Sequence, residues 1–273
     1  MKTILVPTDY SEVANNALQY AIEYAKFSNS KLLLFHVYPI PVPTTEFSIL
    51  HISKELEKKN AERLKNLENE IRKKGDETFQ IESKVGVGDV TDNILNLTTK
   101  KKIDLVVMGI TGTNKLASIL IGSNTMSVIE KSTTPVLIIP PKTRFKKIEK
   151  IVFASDFNHI VPKKVVVKLK EFAHIFDAEI LVLDVLKSLE EVSHYTKIAG
   201  VNFENQMKGV SVSFHFSVGE NLKEEINLFI EKHQASILVM LHKKYGILEQ
   251  LFHKSNTKQM ASHTQVPLIS IHE

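Results

Sequence analysis
Six short blocks occur twice in this chain, in the same order and with similar spacing. Lys2–Asp9 is echoed by Lys150–Asp156, and Leu32–Val37 by Ile180–Val185. Val87-Gly88 returns as Val218-Gly219, and Asp104–Met108 as Ser236–Met240. Ser123-Asn124-Thr125 returns as Ser255-Asn256-Thr257, and Thr134–Leu137 as Val266–Ile269. A repeat of this kind makes each copy one structural unit. The 273 residues are about twice a domain of ~100–150 residues, which agrees. The double proline of Pro140-Pro141-Lys142-Thr143-Arg144 stops the preceding strand and marks the linker. The expected domains are 1–141 and 146–273.

Within the first copy, short continuous apolar runs alternate with amphipathic stretches of helical length. Strands are expected at Thr3–Thr8, Lys31–Tyr38, Phe79–Val85, Asp104–Gly109 and Pro135–Ile139. Helices are expected at Glu12–Phe27, Ile49–Lys74, Asp89–Lys101 and Ser123–Lys131. Runs such as Leu32-Leu33-Leu34-Phe35 do not alternate with polar residues, so both faces of the strand are covered. Such a pattern predicts an α/β fold, each copy a five-stranded parallel sheet with helices on both faces. The first copy has a longer insert after its second strand, including the rigid Pro39-Ile40-Pro41-Val42-Pro43.

Composition narrows the function. The chain has no cysteine, which removes disulfides, cysteine-liganded zinc and thiol catalysis, and fits a reducing compartment. No apolar run reaches the ~18–20 residues of a membrane span. The apolar stretch at the N-terminus is too short for a signal peptide, and Asp9 interrupts it. A net charge of +4 divides as +3 over residues 1–145 and +1 over the rest, without the basic face that nucleic acid requires. The chain lacks tryptophan, which argues against a base-stacking platform.

The informative motif is a glycine loop. Gly109, Gly112 and Gly122 fall within fourteen residues, between a buried strand and a helix start. Ligands of open α/β sheets bind at the carboxyl ends of strands. Glycine lets an anion approach backbone N–H groups. Gly122-Ser123-Asn124-Thr125 then offers free donors, hydroxyls and the positive end of a helix dipole. This chemistry suits phosphate; the competing reading is a long loop whose glycines only make turns. The P-loop pattern is absent, and Gly86-Val87-Gly88 lacks the third glycine of a dinucleotide fingerprint.

With these residues in view, the chain resembles the universal stress protein family in its tandem, two-domain form. Gly109-x₂-Gly112-x₉-Gly122-Ser123 matches the family's Gly-x₂-Gly-x₉-Gly-Ser/Thr signature at every fixed position. Val6-Pro7-Thr8-Asp9-Tyr10-Ser11 looks like its first strand and turn, and Thr134–Ile139 like its last strand. The resemblance implies two Rossmann-like domains of the adenine nucleotide α-hydrolase-like type. It implies ATP as cofactor, accompanied by Mg2+. Asp9 would contact the adenosine, although an Asp before a helix is also a natural N-cap. Val37 would present main-chain groups to adenine. Gly109, Gly112, Gly122, Ser123, Asn124 and Thr125 would cradle the phosphates. Pro7 and Thr8 would wall the pocket, and Met108 would pack under the base. Lys115 would reach a terminal phosphate or stay solvated.

The second copy departs from the signature. Leu241, Lys244 and Lys254 stand where the glycines should be, while Asp156, Val185 and Ser255-Asn256-Thr257 remain. A Cβ at those positions makes positive φ and close backbone approach costly. Nucleotide is therefore expected in the first domain only. His242, His253 and His263 lack helical metal-ligand spacing and read as scattered surface residues. Glu55–Lys74 reads as a solvated helix face, and Lys100-Lys101-Lys102 as a helix end.

No nucleophile or general base can be assigned, so any ATP hydrolysis would be weak. The expectation is a cytoplasmic, nucleotide-binding regulatory module of the stress response, with no nucleic acid or membrane partner. An adenylating enzyme of the α-hydrolase-like group is the alternative. Such an enzyme would carry glycines after the first strand, where this chain reads Thr8-Asp9-Tyr10-Ser11. A scaffold or chaperone without nucleotide is a third reading, which the intact signature disfavours. Family domains pair through their last strands, which here would be internal to the chain. The apolar Val136–Ile139 and Leu268–Ile271 would be covered that way, leaving further homodimerisation open.

Overall fold
A computed structural model describes residues 2–39, 46–74, 80–112, 119–120, 122–155, 161–188, 199–242 and 266–272. The chain divides into two compact units, Met1–Ile110 with Gly122–Phe145, and Thr111–Ile121 with Lys146–Glu273.

The first unit runs β1 (Thr3–Pro7), α1 (Glu12–Phe27), β2 (Lys31–Tyr38), α2 (Glu46–Lys74), β3 (Ile81–Val87), α3 (Val90–Lys100), β4 (Leu105–Gly109), α4 (Ser123–Lys131) and β7 (Val136–Ile139). In sequence between β4 and α4, a two-stranded antiparallel ribbon, β5 (Thr111–Gly112) with β6 (Ile119–Leu120), belongs to the second unit. The sheet is parallel throughout, in the order β7-β4-β1-β2-β3. Consecutive residues of β1, β2, β4 and β7 are buried, so helices cover both faces. Ser11 caps α1 by accepting from the Ala14 N–H, and Asp89 caps α3 from the Asp92 N–H. Phe145, beyond the proline pair, packs its ring against Tyr20, Tyr24 and Phe27 of α1.

The second unit repeats the plan. It comprises β8 (Lys150–Ala154), α5 (Lys163–Phe176), β9 (Glu179–Leu186), α6 (Ala199–Gln206), β10 (Val212–Val218), α7 (Leu222–His233), β11 (Ile237–His242) and β12 (Leu268–His272). Its strands are parallel in the order β12-β11-β8-β9-β10, the same topology as the first unit. Registers align residue by residue: Pro7 faces Phe35 as Ala154 faces Leu183. Gly88 N–H donates to the Tyr38 carbonyl as Gly219 N–H donates to that of Leu186.

One buried carboxylate secures α2 to the edge of the first sheet. Glu68 is 1% exposed. It accepts from Lys65 and Arg72, each at 2.9 Å, and from the Ser83 hydroxyl at 2.5 Å. Arg72 also donates to the Ile81 carbonyl on β3. Burial alone would raise the Glu68 pKa, but these three donors outweigh it and hold it below the ordinary carboxylate range. Glu68→Ala strands Arg72 and Ser83 and is expected to cost about 2–3 kcal/mol, read as a lower urea midpoint at unchanged m. A depressed native pKa binds fewer protons than the unfolded chain. This stability is therefore present at neutral pH and lost as the pH falls below about 4.3 toward the native value. Urea midpoints measured between pH 7 and pH 3 should decline less in Glu68→Ala than in the parent.

Candidate functional site
The strand order of the first unit reverses between β1 and β4. The chain leaves β1 for β2 and β3, then returns to β4 on the other side. The crevice outside the carboxyl ends of these strands is where open α/β sheets bind ligands. The turn after β1 and the carboxyl end of β4 lie at this point.

On the β1 side, Pro7 is half-buried, Thr8 buried and Asp9 exposed. Thr8 N–H donates to the Phe35 carbonyl at 2.8 Å, and its own hydroxyl accepts from the Tyr10 N–H at 3.0 Å. The Asp9 carboxylate accepts from the Ser11 N–H at 2.9 Å. Ser11, not Asp9, is the N-cap of α1, which leaves Asp9 facing outward beyond the strand end. Burial would raise the Asp9 pKa, but the hydrogen bonds from Ser11 and the nearby His36 hold it low, so the carboxylate is ionised. Val37 is half-buried, near the carboxyl end of the neighbouring β2.

Sequence reasoning missed three residues beside this turn. His36 holds the Thr8 carbonyl at 2.8 Å through Nδ1. Its ring lies 4.8 Å from that of Tyr10, and the Arg63 guanidinium of α2 stacks over Tyr10 at 3.7 Å. Tyr10 takes a left-handed backbone conformation, φ 66°. Its hydroxyl is buried with no hydrogen-bond partner among the described residues. Only the adjacency of Tyr10 to Asp9 hinted at this group. Arg63 sits in a charge-alternating helix whose pattern reads as solvated.

On the β4 side, the glycines separate by physical role. A Cβ on Gly109 would lie 2.6 Å from the Val13 carbonyl oxygen and 2.7 Å from Val13 Cγ1. Close packing of α1 on β4 alone therefore requires glycine there. Gly122 is different: its φ of −60° and ψ of 144° suit any residue, and a Cβ would meet nothing closer than Thr125 Oγ1 at 4.0 Å. Nothing within the described protein demands glycine at 122; the space beside it is open. Gly112 lies on the short ribbon, opposite Ile119. Met108 is buried in β4.

Gly122 is also the N-cap of α4, and no side chain caps that helix. Ser123 and Asn124 are exposed on its first turn. The Met126 N–H takes the Gly122 carbonyl at 3.0 Å, so the first-turn N–H groups ahead of it point outward. Thr125 is buried, and its hydroxyl donates to the Gly109 carbonyl at 3.3 Å, tying the helix start to the strand end. The structure thus brings Pro7, Thr8, Asp9, Gly109, Gly122, Ser123, Asn124 and Thr125 to one end of the sheet. Lys115 lies outside the described residues.

The second unit differs at the matching point. The registers make Leu241 the counterpart of Gly109, and β11 continues through His242 where β4 has ended. Leu241 is buried. α5 begins at Lys163, after Pro162 at its N-cap. Asp156, Lys244, Lys254 and Ser255-Asn256-Thr257 lie outside the described residues, as do His253 and His263. Among the described residues no cluster of His, Asp and Glu could hold a metal ion. No described helix is long and apolar enough to cross a membrane.

A doubly wound α/β unit with a glycine-bearing loop at its switch point is the class these features define. The universal stress protein family model matches residues 1–140, and the chain belongs to that family. Universal stress protein MJ0577 of Methanocaldococcus jannaschii is 30% identical over 155 residues, covering 52% of this chain and 96% of its own. Universal stress protein YxiE of Bacillus subtilis is 33% identical over 146 residues, covering 50% of this chain and 97% of its own. A universal stress protein from Archaeoglobus fulgidus superposes over 99% of this chain and 98% of its own, with a TM-score of 0.73 at 18% identity. That superposition shows a shared fold over both units.

Proposed function
We propose that the first unit binds ATP at the carboxyl end of its sheet, and that the chain acts as a nucleotide-dependent regulatory module of the stress response. The supporting observation is the uncapped start of α4, where Gly122 leaves open space beside outward N–H groups at the switch point. In this reading Ser123 and Asn124 join those N–H groups on the phosphates, and Gly112 completes the cradle. Thr125 and Gly109 hold the cradle's base. The ionised Asp9 takes the ribose hydroxyls, Val37 offers main-chain groups to adenine, and Pro7, Thr8 and Met108 wall the pocket. Mg2+ would accompany the phosphates.

The nucleotide-binding domain of this reading is 1–141. Residues 146–273 form a degenerate copy, in which Leu241, Lys244 and Lys254 stand in place of the three glycines. The turn after β1 has no glycine, unlike an adenylating enzyme's. The protein then works by what it binds, in the cytoplasm, with hydrolysis at most slow.

Mass spectrometry of small molecules released from the purified protein should find an adenine nucleotide. Repeated recovery of a different ligand class would refute the reading. Ser123→Ala removes one hydrogen bond to phosphate and should weaken ATP about tenfold, roughly 1–2 kcal/mol, measured by calorimetry.

A further inference from the structure
The two units end their sheets on third strands of very different character. In the first, β3 carries Glu82 and Lys84, and Arg72 occupies the outward carbonyl of Ile81. Charges and a side-chain cap of this kind keep a sheet edge from pairing with another chain. In the second, β10 reads Val-Ser-Phe-His-Phe-Ser-Val, without an acidic residue, lysine, arginine, proline or glycine. It pairs with β9 on one side, and no described strand lies on its other side. Val218, at its end, is 39% exposed.

The sequence of β10 is a palindrome centred on His215. Rotation about a two-fold axis at His215 sets Val212 opposite Val218, Phe214 opposite Phe216, and Ser213 opposite Ser217. The ladder to β9 agrees with this register. The Ser211 carbonyl accepts from Ile180, and Gly219 N–H donates to Leu186, so odd-numbered residues face β9. The backbone groups of 212, 214, 216 and 218 therefore face the outer edge. An antiparallel partner exchanges both N–H···O bonds between residues whose groups face each other. The palindromic register puts even-numbered residues opposite even-numbered ones; a slip of one residue would not.

The side chains and flanking charges agree as well. Phe214 already packs edge-on against Phe203 of α6, and a facing Phe216 would extend that aromatic cluster. On the other face, His215 contacts Phe229 and His233 of α7 and the Ser213 hydroxyl. Burial, then His233 and Lys232, hold His215 below the usual histidine range against the pull of Glu179, so two facing imidazoles are neutral at neutral pH. Exposed Lys208 precedes the strand and exposed Glu220 follows it. An antiparallel pairing brings Lys208 of one copy to the same end as Glu220 of the other, at both ends.

We propose that β10 is a self-association edge: two copies of this chain join antiparallel about a two-fold axis at His215, continuing the sheet of the second unit from one copy into the other. The interface is isologous and closes after two chains. It does not depend on the nucleotide reading.

The absence of cysteine makes the test clean. Facing residues of a non-hydrogen-bonded antiparallel pair have Cα atoms about 4.5 Å apart, within the range a disulfide spans. Under mild oxidation, His215→Cys in the full chain should form a covalent dimer. Ser213→Cys alone should not, whereas the Ser213→Cys/Ser217→Cys double variant should. In analytical ultracentrifugation the parent chain should pass from monomer to dimer with rising concentration. Val218→Pro removes an outward N–H at a position where an edge strand tolerates proline. It should weaken the dimer about tenfold with an unchanged melting temperature. A parent chain that stays monomeric, a Ser213→Cys variant that cross-links as well as His215→Cys, or failure of both His215→Cys and the double variant to cross-link would overturn the proposal. A dimer indifferent to Val218→Pro would overturn it too.

Discussion
Gly122→Val should lose ATP binding by more than about a hundredfold while the protein melts within a few degrees of the parent. The backbone at 122 already lies in an extended region that valine adopts readily, and among the described residues its Cβ would meet only Thr125 Oγ1, at 4.0 Å. Replacing glycine by valine at an N-cap costs helix stability only modestly, on the order of 1 kcal/mol. The two added methyls instead project into the open space beside the first-turn N–H groups, where the phosphates are proposed to sit. A folded Gly122→Val variant with parental ATP affinity would remove Gly122 from the site.

Gly109→Ala should give the opposite result, with the loss in stability. Its new methyl would press on the Val13 carbonyl oxygen at 2.6 Å, a contact with backbone that no rotamer change relieves. The first turn of α1 must move away from β4, or β4 must bend, at a cost of about 3 kcal/mol. Thermal and urea unfolding would register it without any ligand present. The turn holding Asp9 and Ser11 leads into that helix, so some affinity should fall with it. The two substitutions separate roles that the signature joins: one glycine lets secondary structures meet, and the other leaves room for a ligand. A Gly109→Ala variant as stable as the parent would show that this packing is soft.

Much of this was readable beforehand. Lys31–Tyr38, Glu12–Phe27 and Ser123–Lys131 match their elements residue for residue, because apolar runs, the Ser11 cap and the chain-breaking Gly122 bound them sharply. β3 runs to Val87 rather than ending at Val85. Gly86 resembles a strand stop, but it sits inside the strand because Phe35 and Asn93 fill the space of its missing Cβ. Such tertiary filling leaves no trace in a local pattern. Phe79 lies outside the described residues. At the candidate site, glycine spacing identified the loop but not the reason for each glycine. That reason depends on α1, almost a hundred residues earlier in the chain. The Arg63–Tyr10–His36 group escaped notice because three separate elements supply it. In the second unit, substitution of the glycines was visible, whereas the run of β11 on through His242 was not.

In the proposed reading one chain holds one ATP, in its first unit. Isothermal titration of the ligand-free full chain with ATP tests it most directly. A single site per chain, lost in Gly122→Val, is expected. Two equivalent sites per chain, or an ATP site that survives in folded Gly122→Val, would contradict it.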